Sequence, residues 1–259
     1  MRRTAPSREL RLLGLRIDNV TLADAVREVV SRARQGTPTR VGFLNAHCVN
    51  VAMENPSYRD ALDGFQLVFA DGSGVRLAGL VLGSPVRDNV NGTDLFLPLC
   101  RALAEAGLPV YFLGAAPGVA EQMVRHLHEL VPALRVVGQH HGYLRPEEHD
   151  GVVAGIRASG ARVLFVAMGV PQQELWIQAH HRATDVPVVL GVGGLFDFFS
   201  GRIPRAPSLF RRYGLEWTWR LAQEPRRLWK RYLIGNWTFL GRVVVARLHD
   251  GSAHPRGSS

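Results

Sequence analysis

The chain has 259 residues, a net charge of +9 and a pI near 10.6, with 46% of its residues hydrophobic. That length allows one large or two small domains around a real core, and the basic balance implies an anionic partner: nucleic acid, a phosphate-bearing substrate or a membrane surface. The two cysteines, Cys48 and Cys100, are too few for a disulfide framework or a cysteine zinc site, and we read both as reduced thiols in a cytosolic setting.

Residues 1–10 are expected to be disordered, and the basic start Met1-Arg2-Arg3 is followed by no apolar segment of the signal-peptide kind. Leu12–Asn19 reads as a strand or hairpin arm. Thr21-Leu22-Ala23-Asp24 has the form of a capping box opening a helix over Leu22–Arg34. A buried strand is predicted at Val41–Leu44, a helix from Cys48 to Leu62, a short strand at Leu67–Ala70 ending in Asp71-Gly72-Ser73-Gly74, and a helix at Leu95–Ala106. From Pro109 strand and helix alternate regularly: Val110–Leu113, a glycine loop Gly114–Gly118, Val119–Leu130, Arg135–Gly138, Pro146–Ala158, Val163–Met168, Gln172–Arg182 and Val188–Leu190. This order predicts an α/β fold, a Rossmann-like parallel sheet with helices on both faces. The loops that follow strands are then the places to look for ligands.

After Pro207 the alternation stops and two basic, aromatic helices are expected. Gly201–Arg247 holds eleven Arg and Lys against only Glu216 and Glu224, which accounts for the whole net charge, and four of the five tryptophans: Trp217, Trp219, Trp229 and Trp237. Leu228, Trp229, Tyr232, Leu233, Phe239, Leu240, Val243 and Val244 recur at three- and four-residue spacing as an apolar stripe, with cations beside it. Such a segment suits the surface of an anionic bilayer. No run reaches the ~20 apolar residues of a membrane span, so peripheral contact is expected. The organisation we infer is an N-terminal α/β region (1–107), a Rossmann-like region (108–207), a basic helical appendage (208–248) and a disordered tail (249–259).

Asp71, at the end of an apolar strand and beside glycines that admit a substrate, can serve as a general base or as a simple turn residue. Gly114-Ala115-Ala116-Pro117-Gly118 offers backbone N–H groups and a helix dipole to a phosphate, without being a dinucleotide fingerprint or a Walker loop. Gln173 in Gly169-Val170-Pro171-Gln172-Gln173-Glu174 can hydrogen-bond a sugar or a base. His47, His140 and His141 fit no metal-ligand spacing and no DxD pair is present, so neither metal nor other cofactor is expected.

Asp71-Gly72-Ser73-Gly74, Asn91-Gly92-Thr93-Asp94-Leu95, Phe112-Leu113-Gly114 with Pro117-Gly118, Gly142-Tyr143, Gly169 to Glu174, Gly191-Val192-Gly193-Gly194 with Phe196-Asp197, Arg205-Ala206-Pro207, Gly214-Leu215-Glu216-Trp217 and Gln223-Glu224-Pro225-Arg226-Arg227 occur in that order. The set resembles the WecG/TagA/CpsF family of bacterial glycosyltransferases, from about Asn45 to Asn236. The resemblance implies an inverting enzyme that moves a hexose-type sugar (N-acetylmannosamine, its uronic acid or glucose) from a UDP donor to a polyprenyl-diphosphate-linked glycan on the inner face of the cell membrane. It implies Asp71 as catalytic base. The candidate substrate contacts are Asn45, Thr93, Asp94 and Gln173, with the loop glycines Gly114, Gly118, Gly193 and Gly194. The cations Arg220, Arg227, Lys230 and Arg231 are candidates for holding the lipid diphosphate and the membrane, and self-association is left open. The chain departs from the family pattern at Phe43, where teichoic-acid-type members carry Thr, at His47, where an acid is common, and at Gln172, where Lys or Arg is common. Two alternatives remain: a basic nucleic-acid-binding α/β protein, against which stand the apolar faces of the basic helices, and a nicotinamide-dependent dehydrogenase, against which stands the missing GxGxxG.

Overall fold

The computed structural model describes residues 8–207, 209–210 and 213–252. The predicted disorder of residues 1–7 and of the tail from 253 lies outside them, as do Arg211 and Arg212. Residues 9 and 10, expected to be disordered, instead open a hairpin, β1 (Glu9–Leu12) with β2 (Leu15–Asp18). Leu10, Leu12, Leu15 and Ile17 are buried beneath it, a period-2 pattern too short to stand out in the sequence. Helix α1 (Leu22–Gln35) starts on the predicted capping box: Thr21 Oγ1 accepts from the Asp24 N–H at 3.2 Å, and the helix closes on Gly36 at φ +74°.

The single helix predicted over Cys48–Leu62 is two, α2 (Ala46–Glu54) and α3 (Pro56–Asp63). Asn55 breaks it by capping α3, its side chain accepting from the Tyr58 N–H at 3.0 Å, with Pro56 in the first turn. A helix absent from the sequence reading, α4 (Ser73–Val81), follows β4 (Leu67–Ala70). Its Gly74 and Gly79 are poor helix formers, and Gly79 is a close-approach position: a Cβ there would lie 2.7 Å from the Ser84 carbonyl oxygen. The remaining elements are α5 (Gly92–Glu105), β5 (Val110–Gly114), α6 (Val119–Leu130), β6 (Val136–His140), α7 (His149–Ala158) after a 3₁₀ turn at Pro146–Glu148, β7 (Val163–Ala167), α8 (Gln172–Thr184), β8 (Val188–Gly191) and α9 (Leu195–Phe199).

With β3 (Thr39–Leu44), these strands form one six-stranded parallel sheet in the order β4-β3-β8-β7-β5-β6. The fold is thus the expected Rossmann-like α/β arrangement. The β3–β8 pairing joins strands from the N-terminal and central regions in that one sheet. Alternate strand residues feed two cores. Phe43, Phe69, Phe112 and Phe165 pack with α1, α5, α6 and α9; Leu44, Val68, Leu113 and Val166 pack with α2, α3, α7 and α8. The helix after β3 lies on one face and the helix after β8 on the other. Neighbouring strands whose chains part in this way leave a crevice beyond their carboxyl ends.

The appendage comprises α10 (Glu216–Gln223) and a long helix built of α11 (Pro225–Trp229), one π-turn (Lys230–Ile234) and α12 (Gly235–Ser252). Its helix continues to Ser252, past the predicted start of the tail. The predicted apolar stripe is divided. Leu228, Phe239 and Val243 are buried, the last two in the core with α2 and α4, whereas Trp229, Leu233 and Val244 are exposed. The π-turn inserts an extra residue into the helical repeat, so a period of 3.6 does not carry across it. No helix among the described residues is long and apolar enough to cross a membrane.

Candidate active site

A cavity of about 620 Å³ occupies the crevice. Its floor comes from strand ends. Asn45 ends β3 and caps α2, its Oδ1 accepting from the Cys48 N–H at 3.1 Å, and its Nδ2 donates to Asp71 Oδ2 at 3.1 Å. Asp71 ends β4, its own N–H bonded to the Leu44 carbonyl, and Gly72 at φ +93° turns the chain away so that the carboxylate faces the cavity. Burial pushes the Asp71 carboxyl up from the usual carboxylate range. The Asn45 hydrogen bond and the nearby Arg231 and Arg220 pull it back, and Asp94 opposes them. A raised carboxyl pKa makes the ionised oxygen more basic, which favours proton abstraction from a hydroxyl.

Asn91 caps α5 and donates to Asp94 Oδ2 at 2.6 Å, and Asp94 also pairs with Arg205. Thr93 and Asp94, expected as substrate contacts, line the cavity, and the Asp94 carboxylate is already engaged on both oxygens. Gln173 is 3% exposed, and both ends of its amide are likewise engaged. Its Oε1 accepts from the Gly193 N–H at 2.8 Å and its Nε2 donates to Glu174 Oε1 at 2.8 Å. Gly193 and Gly194 line the opposite wall.

The appendage roofs the cavity with Glu216, Trp217, Arg220, Arg227, Arg231 and Tyr232. It is held down by Ser73 Oγ donating to the Gly214 carbonyl (3.0 Å), by Asn50 Nδ2 donating to that of Gly235 (2.7 Å), and by Arg242 on Glu54 (2.7 Å). Arg220 lies over the Phe198 ring at 4.8 Å. The Nε groups of Arg205, Arg220 and Arg231 are buried without a hydrogen-bond partner among the described residues. Donors in that state around one cavity suit an anionic ligand with several oxygens. His47 also lines the cavity, and burial with Arg231 beside it brings its imidazole down to about 4, so it stands there neutral.

Three predicted contacts are not brought to this cavity. Gly114 packs β5 against β7: a Cβ there would lie 2.4 Å from the Ala167 carbonyl oxygen, and its φ is +147°. Gly118 caps α6 at φ +83°. Lys230 points outward at the π-turn, with its Nζ over the Trp229 ring at 5.6 Å. Conversely, the sequence assigns no role to Asn89, whose Oδ1 accepts from the Gly72 N–H at 2.6 Å, or to Phe198, and it points Trp217 and Tyr232 to a membrane surface where the structure has them line the cavity. The asparagines flanking Val90 were the available signal. Among the described residues no group of three or more His, Cys, Asp or Glu side chains could hold a metal ion.

A carboxylate at a strand end thus shares a parallel-sheet crevice with arginines from an added helical roof, an arrangement that suits an anionic ligand. Residues 10–253 match the Glycosyl transferase WecG/TagA/CpsF family, and the chain belongs to that family. Over 182 residues it is 35% identical to the N-acetylglucosaminyldiphosphoundecaprenol N-acetyl-beta-D-mannosaminyltransferase of Bacillus spizizenii, covering 70% of each chain.

Proposed function

We propose that this glycosyltransferase moves a hexose-type sugar, with inversion, from a UDP donor to a polyprenyl-diphosphate-linked glycan in cell-surface polysaccharide synthesis, working peripherally on the inner face of the cell membrane. The observation that carries the reading is Asp71 placed in one cavity with Arg220, Arg227 and Arg231. Asp71 takes the proton of the acceptor hydroxyl as that oxygen attacks the anomeric carbon from the face opposite the departing UDP. The bond to UDP breaks as the glycosidic bond forms, and negative charge gathers on the leaving diphosphate. Arginine forks pair with phosphate oxygens and meet that charge. The relative's printed name supports an undecaprenyl-diphosphate acceptor.

The outer surface supports the lipid part of the reading. Trp237 (74% exposed), Ile234 and Leu248 on the long helix are exposed, as are Leu77, Leu80 and Val81 on α4. The two helices touch near the Gly74–Phe239 approach, and Leu77 and Leu240 also line the cavity. An apolar surface continuous with an arginine-rich cavity matches a substrate with a diphosphate at one end and hydrocarbon at the other. The test is a panel of UDP-sugars offered with a short-chain polyprenyl-diphosphate glycolipid, wild type against Asp71→Asn. Sugar transfer by the wild type alone is the expected result, and transfer by neither protein with any donor would refute the reading.

A further inference from the structure

Glu174 is the most enclosed acid at the site, 1% exposed, and it does not line the cavity. Its Oε1 accepts from Gln173, while its Oε2 is buried without a partner among the described residues. A glutamine amide has one acceptor end and one donor end. At position 173 the two ends meet opposite demands: the Gly193 N–H needs an acceptor, and the group at position 174 must then accept from the amide NH₂. Were Gln173 to flip, its NH₂ would face the Gly193 N–H, donor against donor. With the Gly193 N–H on one side and the accepting Oε1 of Glu174 on the other, the amide is held in the unflipped orientation.

We propose that Glu174 is a positioning residue: by fixing the Gln173 amide it holds the Gly193 N–H, and with it the Gly191–Gly194 loop, at the distance from Asp71 that the reaction requires. The loop carries this position onward to the roof. A Cβ on Gly191 would lie 3.1 Å from Gln173 Nε2, so the loop is seated directly on this side chain. A Cβ on Gly194 would lie 3.2 Å from Arg220 Nη2, so the Arg220 guanidinium is seated on the loop. The order Glu174, Gln173, Gly193, Gly194, Arg220 thus joins a buried acid to a cation of the diphosphate site. Gln173 also lines the cavity, so in this arrangement it supports the loop in addition to the substrate contact expected from the sequence.

The role in turnover rests on the glycosyltransferase reading, so the test has one arm that does not. Hydrogen exchange of the Gly193 amide is measured in the full-length wild type, Glu174→Gln and Glu174→Met. Gln offers an amide oxygen to Gln173 and Met offers no comparable acceptor. The lost hydrogen bond should reduce Gly193 protection about tenfold in Glu174→Met, the scale of one net hydrogen bond, and leave it within about threefold in Glu174→Gln. The kinetic arm compares Glu174→Met, Gln173→Met and the double variant in kcat/KM. Each single variant should lose about 10- to 100-fold, and the double variant no more than the worse single one, because all three break the same link. Unchanged Gly193 protection in a folded Glu174→Met overturns the proposal. So does full additivity of the two losses, or equal damage in Glu174→Gln and Glu174→Met. If no variant, wild type included, transfers sugar, the functional reading fails while the exchange arm still decides the link.

Discussion

A carboxylate accepts a proton only while ionised; at Asp71 burial disfavours ionisation, and the Asn45 hydrogen bond and the arginines oppose burial without outweighing it. Asp71→Asn should lower kcat by ~10²–10⁴-fold with the fold intact, the usual cost of a lost acid–base group; near-normal turnover would remove Asp71 from the role. Because the Asn45 hydrogen bond lowers the Asp71 pKa, Asn45→Ala should move the acidic limb of the kcat/KM profile to higher pH, and an unmoved limb would contradict the assignment. Glu174 gives a separate pH signature in stability. Burial raises its carboxyl from an ordinary 4.5 to about 7, so the folded state holds a proton that the unfolded chain releases. Its contribution is fully present below about pH 4.5 and is lost as pH rises through about 7. Glu174→Gln, which never ionises, should therefore gain stability over wild type across that window, by up to about 3 kcal/mol above pH 7. Urea denaturation at pH 4 and pH 8 checks this, and a difference independent of pH would refute it.

At the scale of elements, the long appendage helix has two faces with different tasks. Phe239 and Val243 belong to the protein core, so deleting the appendage would open that core and could not isolate membrane binding. Point changes on the outer face can. Trp237→Glu with Leu248→Glu should leave the melting temperature nearly unchanged and reduce binding to anionic vesicles at least about tenfold. Wild-type binding should itself weaken with salt, since each cation near an anionic leaflet contributes ~1 kcal/mol that salt screens. Unimpaired vesicle binding by the double variant would refute docking through this face. The appendage also shows where periodicity stops being informative. Its stripe was legible as apolar, but which members turn inward depends on the π-turn, a backbone feature with no composition of its own. Helix α4 is hidden for a related reason: Gly79, a poor helix former, is required by its close approach to the Ser84 carbonyl, a contact that local periodicity does not show.

For the whole molecule, the sheet was legible because Leu67–Ala70, Val110–Leu113, Val163–Met168 and Val188–Leu190 are apolar runs bounded by glycine and proline, as strands buried on both faces must be. The strand order was not, since nothing local says that β3 lies between β4 and β8. That order determines the site: it brings the end of β3, the end of β4 and the β8 loop into one crevice, and leaves the Gly114–Gly118 turn, equally attractive as a phosphate loop, outside it. On the proposed mechanism the cavity arginines neutralise the leaving diphosphate, so turnover should survive EDTA; activity abolished by EDTA and restored by Mg²⁺ would contradict that expectation. The central claim, inverting transfer assisted by Asp71 from a UDP-sugar to a lipid diphosphate glycan, is tested most directly by the anomeric configuration of the product. The UDP-sugar found active in the donor panel would be incubated with enzyme and a short-chain polyprenyl-diphosphate glycolipid, and the purified glycolipid product read by NMR. The account predicts a new glycosidic bond of configuration opposite to that of the donor, formed by the wild type and lost with Asp71→Asn. A product that retains the donor configuration would contradict it.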